Sequence, residues 1–138
     1  MKVQARWIED YKFMSSSDNN TVAVDADGGL SAPSPMEMIL MGLGTNISND
    51  VVYLLQDNKQ QITGAKVDLN VDYSDFYKSR VSVIELTFDI EGIKLDQSIL
   101  HESVVSAIKD DHLLSMMSNS GVEIRHRLVI KDRMPVYQ

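Results

Sequence analysis

The sequence predicts an α+β domain, with antiparallel sheets around a long buried central helix and a second helix, in the order β-β-β-α-β-β-α-β. Three observations carry this. A capped, apolar helix runs from Pro35 to about Gln56. Residues 64–75 and 81–91 alternate apolar and polar, as half-buried strands do. Short apolar runs broken by turn residues precede the helix, which reads as a meander.

Residues 2–8 and 11–14 read as two short strands, weighted by Trp7, Ile8, Tyr11 and Phe13. Asp18-Asn19-Asn20 is a turn signal. Thr21-Val22-Ala23-Val24 reads as a third strand, which Asp27-Gly28-Gly29 ends.

The central helix opens on Ser34 as N-cap. Pro35 stands at the first helical position, where its missing N–H costs nothing, and Glu37 completes a capping box. From Met36 to Ile47 only Glu37, Thr45 and Asn46 are polar. A helix apolar all round is buried on all sides. Gly42 and Gly44 each lower helix propensity by roughly 1 kcal/mol relative to Ala, which makes sense where another backbone approaches. A chain of 138 residues has little material to surround such a helix, so a second subunit is expected to help cover it.

A loop begins at Asp57-Asn58. Ala65, Val67, Leu69, Val71 and Tyr73 form the apolar face of one strand; Val81, Val83, Leu86, Phe88 and Ile90 supply the next. The phase shift between Val83 and Leu86 predicts a bulge or twist near Ile84. The turn from Ser74 to Arg80 makes these two a hairpin, and Gly92 closes it. Helix resumes at Asp96 or Gln97, with Leu100, Val104, Ile108 and Leu114 on one face. Lys109-Asp110-Asp111 marks a kink or exposed turn. After Asn119-Ser120-Gly121, residues 122–130 read as the last strand.

Bulk properties bound the function. By size, residues 1–138 are expected to form a single domain. No apolar run approaches the roughly 18 residues that span a bilayer, and the N-terminus lacks the apolar core of a signal peptide. A cytoplasmic location without membrane partners is therefore expected. The net charge of −7 argues against a nucleic-acid partner, because neutralising phosphates needs clustered Lys and Arg. The local exception is Arg125-His126-Arg127 with Lys131 and Arg133. Arg125 and Arg127 share a strand face, as part of a solvated sheet or as a small anion site. There is no cysteine, which excludes disulfides, thiolate metal sites and Cys nucleophiles together.

The stretch Ser34-Pro35-Met36-Glu37-Met38-Ile39-Leu40-Met41-Gly42, continuing through Gly44-Thr45-Asn46 to Asp50-Val51-Val52, resembles the central helix of the OsmC/Ohr family, most closely its YhfA-like branch. Val122-Glu123-Ile124-Arg125-His126 is similar to the family's closing strand. The resemblance implies an OsmC-like fold and an intertwined homodimer with pockets at the interface. It also implies a role in oxidative and osmotic stress, through thiol-dependent reduction of organic hydroperoxides. In that chemistry one cysteine attacks the peroxide oxygen, and a second resolves the sulfenic acid as a disulfide. The first position falls at Asn46; the second, counted back without gaps from the closing strand, falls at His112. Neither residue supplies a thiolate, so a cysteine-based peroxidase cycle is not expected. The Glu position that follows the helix-opening proline in the Ohr branch is Met36 here, and Arg6, Arg80 and Arg125 are the candidates for the family's arginine.

Read without the family, Asn46 and Asp50 lie four apart and share a helix face beside the stripe Met36, Leu40, Leu43, Ile47, Val51, Leu54. They either bond to backbone or across an interface, or they line a pocket. Glu37 is explained by capping. His101 and His126 read as surface residues, and His112, four beyond Ile108, as facing inward or toward the interface. The three His lack HxH or HExxH spacing, so no metal site is expected. The methionines at helical spacing, Met36, Met38 and Met41, read as packing.

The expectation is a binder of a small apolar, acyl or thiol-bearing molecule at a homodimer interface, with a coenzyme A-like ligand as one candidate. Its pocket candidates are Asn46, Asp50, His112, Gly42, Leu43 and Arg125. The alternatives are an enzyme using His112 and Asp50 for acid–base chemistry, and a structural or regulatory relative without a ligand.

Overall fold

The computed structural model describes residues 1–28, 30–75 and 80–133. The chain divides into two compact units, Met1–Gly42 and Leu43–Gln138.

The first unit is built on an antiparallel meander of β1 (Gln4–Glu9), β2 (Lys12–Ser16) and β3 (Thr21–Asp25), in that spatial order. Asp10 makes the first turn with φ of 47°, a conformation that Asp tolerates because its short side chain bonds locally. The Trp7 indole N–H donates to the Asp10 carbonyl at 3.0 Å. The second turn, at Asp18-Asn19, is closed by Ser17 N–H to Asn20 O at 2.8 Å and by Asn20 N–H to Ser17 Oγ at 3.2 Å. Every residue of β1 is exposed, Trp7 included. The Asp27-Gly28-Gly29 turn lies partly outside the described residues.

Helix α1 (Pro35–Asp57) starts in the first unit and continues into the second. Its capping box is formed: Ser34 Oγ accepts from Glu37 N–H at 3.1 Å, and Glu37 Oε1 accepts from Ser34 N–H at 3.3 Å. Within one chain the helix buries a single stripe, Leu43, Ile47, Val51 and Leu55, at the i, i+4 spacing of one face. Ile39 and Tyr53 are exposed, so the all-round burial read from the sequence is not completed by this chain alone. By length and composition α1 could cross a membrane, while Glu37 and the polar residues from Thr45 to Asp50 keep any continuous apolar run in it short of roughly 18 residues. Mean hydropathy over a window tolerates the scattered polar residues that interrupt a continuous apolar run. The core helix of a folded domain passes the same test.

The second unit is a three-stranded sheet, β4 (Gln61–Tyr73), β5 (Val81–Ile93) and β6 (Glu123–Asp132), with α2 (Gln97–Asp110) and α3 (His112–Asn119) between β5 and β6. Strands β4 and β5 form the expected antiparallel hairpin, whose turn residues 76–79 lie outside the described residues. The bulge expected near Ile84 falls two residues earlier on the same strand, at Ser82, which is skipped between the pairs Asp72–Val83 and Tyr73–Val81. From there Ile84, Leu86, Phe88 and Ile90 alternate without a break, and Val83 belongs to the other face. A second irregularity lies at the other end of the hairpin, between Ile62 and Gly64. Gly92 is required where it stands, because a Cβ there would meet the Gln61 carbonyl and sit 2.7 Å from Leu95 Cδ2.

Strand β6 pairs with β5 in parallel, Ile84 opposite Ile124 and Ile90 opposite Ile130. Antiparallel pairing throughout, as read from the sequence, is therefore corrected at β6. The α2–α3 segment is long enough to carry the chain back to the starting end of the sheet, which parallel pairing requires. Asp132 locks this crossover, its carboxylate accepting from Lys94 N–H at 2.9 Å and Leu95 N–H at 3.1 Å. The core joins the α1 stripe to Ile84, Leu86, Phe88 and Ile90 of β5 and to Leu100, Val104, Ala107 and Leu114.

Candidate functional site

The site is built around the break between α2 and α3. Asp96 starts α2 as its N-cap, accepting from Ser98 N–H at 3.0 Å and Ile99 N–H at 3.3 Å. The helix stops at Asp111, whose backbone is extended at φ −74° and ψ 118°. Asp111 ends one helix and begins the next: its N–H donates to the Ile108 carbonyl at 3.3 Å, and its Oδ1 accepts from Leu114 N–H at 2.9 Å. Its second carboxylate oxygen, Oδ2, accepts from Asn46 Nδ2 on α1 at 3.0 Å. Asp111 is only 2% exposed, so both oxygens exchange water for protein donors. A carboxylate accepts, so Asn46 must turn its NH₂ toward it.

This arrangement corrects the inward reading of His112. Counting four residues on from Ile108 assumes one continuous helix. The extended backbone at Asp111 resets the helical phase, and His112 becomes the exposed first residue of α3. Asp111, one residue earlier, is what meets Asn46. The signal was present in the sequence: an Asp before an apolar run is an N-cap pattern, here inside what read as the end of a helix.

Asp50 lies one turn along α1 from Asn46. With Tyr53, Leu54, Ser106, Ala107 and Asp110 it lines an open depression of about 260 Å³ between α1 and α2. Leu43 is 2% exposed and belongs to the core, so it lines no pocket in this chain. A Cβ on Gly42 would meet nothing within 4 Å. The close approach expected at the glycines occurs at Gly44, where a Cβ would lie 3.0 Å from Leu69 Cδ1 and 3.5 Å from Val67 Cγ1 of β4.

Val67 and Leu69 pair with Phe88 and Leu86, so α1 lies on that apolar face of the sheet. Arg125 pairs with Glu85, on the alternate face. It therefore stands across the sheet from Asn46, with its guanidinium on both carboxylate oxygens of Glu123 at 3.0 Å each. Along the same strand, Arg127 pairs with Glu85 at 3.3 Å, Lys131 with Asp89 at 3.0 Å, and Arg133 with Glu91. The basic run is matched by acids of its own chain. Arg6 is exposed on β1, and Arg80 lies in the turn after β4. His101 is exposed on α2 and His126 on the edge strand β6. Among the described residues no cluster of His, Asp or Glu could hold a metal ion.

A sequence model described as OsmC-like protein matches residues 26–127. The chain belongs to the OsmC-like protein family. Protein YhfA of Escherichia coli (strain K12) is 28% identical over 127 residues, covering 91% of this chain and 95% of YhfA. The solved structure of an OsmC-like protein from Mycoplasma pneumoniae matches with a TM-score of 0.81 and 14% identity, over 94% of this chain and 96% of that one. The organic hydroperoxide resistance protein OhrB of Bacillus subtilis matches with a TM-score of 0.56 and 15% identity, over 94% of this chain and 96% of that one. These two likenesses show the shared fold.

Proposed function

We propose that this chain is an OsmC-like protein that works without thiol chemistry, as a homodimer that binds a small apolar or acyl molecule instead of reducing hydroperoxides. The Asn46–Asp111 hydrogen bond carries this reading. The family resemblance puts the peroxide-attacking thiol at Asn46. A carboxamide nitrogen is delocalised into its carbonyl and cannot attack an O–O bond as a thiolate does. Asp111 has one oxygen capping α3 and the other on the Asn46 amide, so it supports geometry. The contact ties α1 to the α2–α3 elbow, a non-covalent link near the place where the resemblance implies a disulfide.

Homodimerisation is supported by the apolar surface that the chain leaves in water, with Trp7 at 63% and Tyr53 at 66% exposed. Residues 1–138 act in this reading as one OsmC-like domain in the cytoplasm. The pairing of Arg125, Arg127, Lys131 and Arg133 with acids leaves no free basic face on β6 for nucleic acid. A coenzyme A-like ligand fits poorly in the depression, because Asp50 and Asp110 would repel its phosphates. An acyl or uncharged thiol-bearing molecule fits better. Acid–base catalysis by His112 with Asp50 finds no support, since His112 is exposed and Asp111 takes the place beside Asn46.

Native mass spectrometry of the freshly purified protein tests the reading. A mass of two chains plus a small additional mass is expected. A bare monomer overturns the dimer, and a bare dimer after incubation with acyl and thiol-bearing candidates overturns the ligand.

A further inference from the structure

We draw no further inference here: the strongest candidate, the depression between α1 and α2 lined by Asp50, Tyr53 and Asp110, is a cluster of carboxylates at the edge of the site already described, and no buried unpartnered group among the described residues points into it.

Discussion

Asn46 Nδ2 donates to Asp111 Oδ2 at 3.0 Å across 65 residues of sequence, joining the middle of α1 to the elbow between α2 and α3. A hydrogen bond to a charged group is worth about 1.5–3 kcal/mol, and stranding a buried partner adds to the loss. Asn46→Ala is expected to destabilise the protein by about 2 kcal/mol in urea unfolding. Asp111→Ala is expected to lose more, since it also removes the α3 N-cap, worth about 1 kcal/mol. A double-mutant cycle should show coupling between the two sites; additive losses would mean that the contact contributes nothing.

The wild-type protein is expected to consume organic hydroperoxide with a dithiol reductant no faster than a heat-inactivated control. Turnover above that control would show chemistry that requires neither family thiol, and would end the non-peroxidase reading.

The three glycines respond differently to an added methyl group. Gly92→Ala is expected to lose about 1–3 kcal/mol, because the backbone carbonyl of Gln61 cannot move aside. Gly44→Ala is expected to be close to neutral: the helix gains about 1 kcal/mol, and the tip of Leu69 must shift. Gly42→Ala meets open space in the single chain and is expected to raise its stability by up to about 1 kcal/mol. If the same variant abolishes dimers on size-exclusion chromatography, the partner subunit approaches α1 at Gly42.

Asp25 gives the pH dependence a sign. The backbone N–H of Asp27, at 2.9 Å, is the largest influence, followed by the N–H and hydroxyl of Ser31; together they hold the carboxyl below its ordinary value of 3.8. Its folded pKa is therefore lower than its unfolded one. The stability that it contributes is complete above the unfolded value and is lost as pH falls through the folded one. Stability measured by denaturant titration should decline below about pH 4, where carboxylates begin to titrate, and Asp25→Asn should flatten that limb. An unchanged acid limb in the variant would remove Asp25 from the account.

Much of this fold was legible from local chemistry. Ser34, Pro35 and Glu37 announced the start of α1, and Asp96 the start of α2, because capping is decided within one turn of chain. The meander and the β4–β5 hairpin followed from alternation and turn residues. The parallel placement of β6 was not legible, since alternation reports which face a strand buries and not the direction of its neighbour. The bulge expected near Ile84 stands at Ser82, because alternation reports that a strand shifts phase and not which residue absorbs the shift.

By itself, the sequence determined that this chain supplies no cysteine thiol and that the α1 helix is apolar beyond what one face needs. Only the tertiary structure decided what Asn46 touches. A continuous helix through residues 97–119 would have turned His112 inward. The extended backbone at Asp111 broke that periodicity and brought a carboxylate, not an imidazole, to the amide. Helical phase is local, but a break in it redirects every side chain that follows, and the partner across 65 residues is set by packing that sequence spacing does not report.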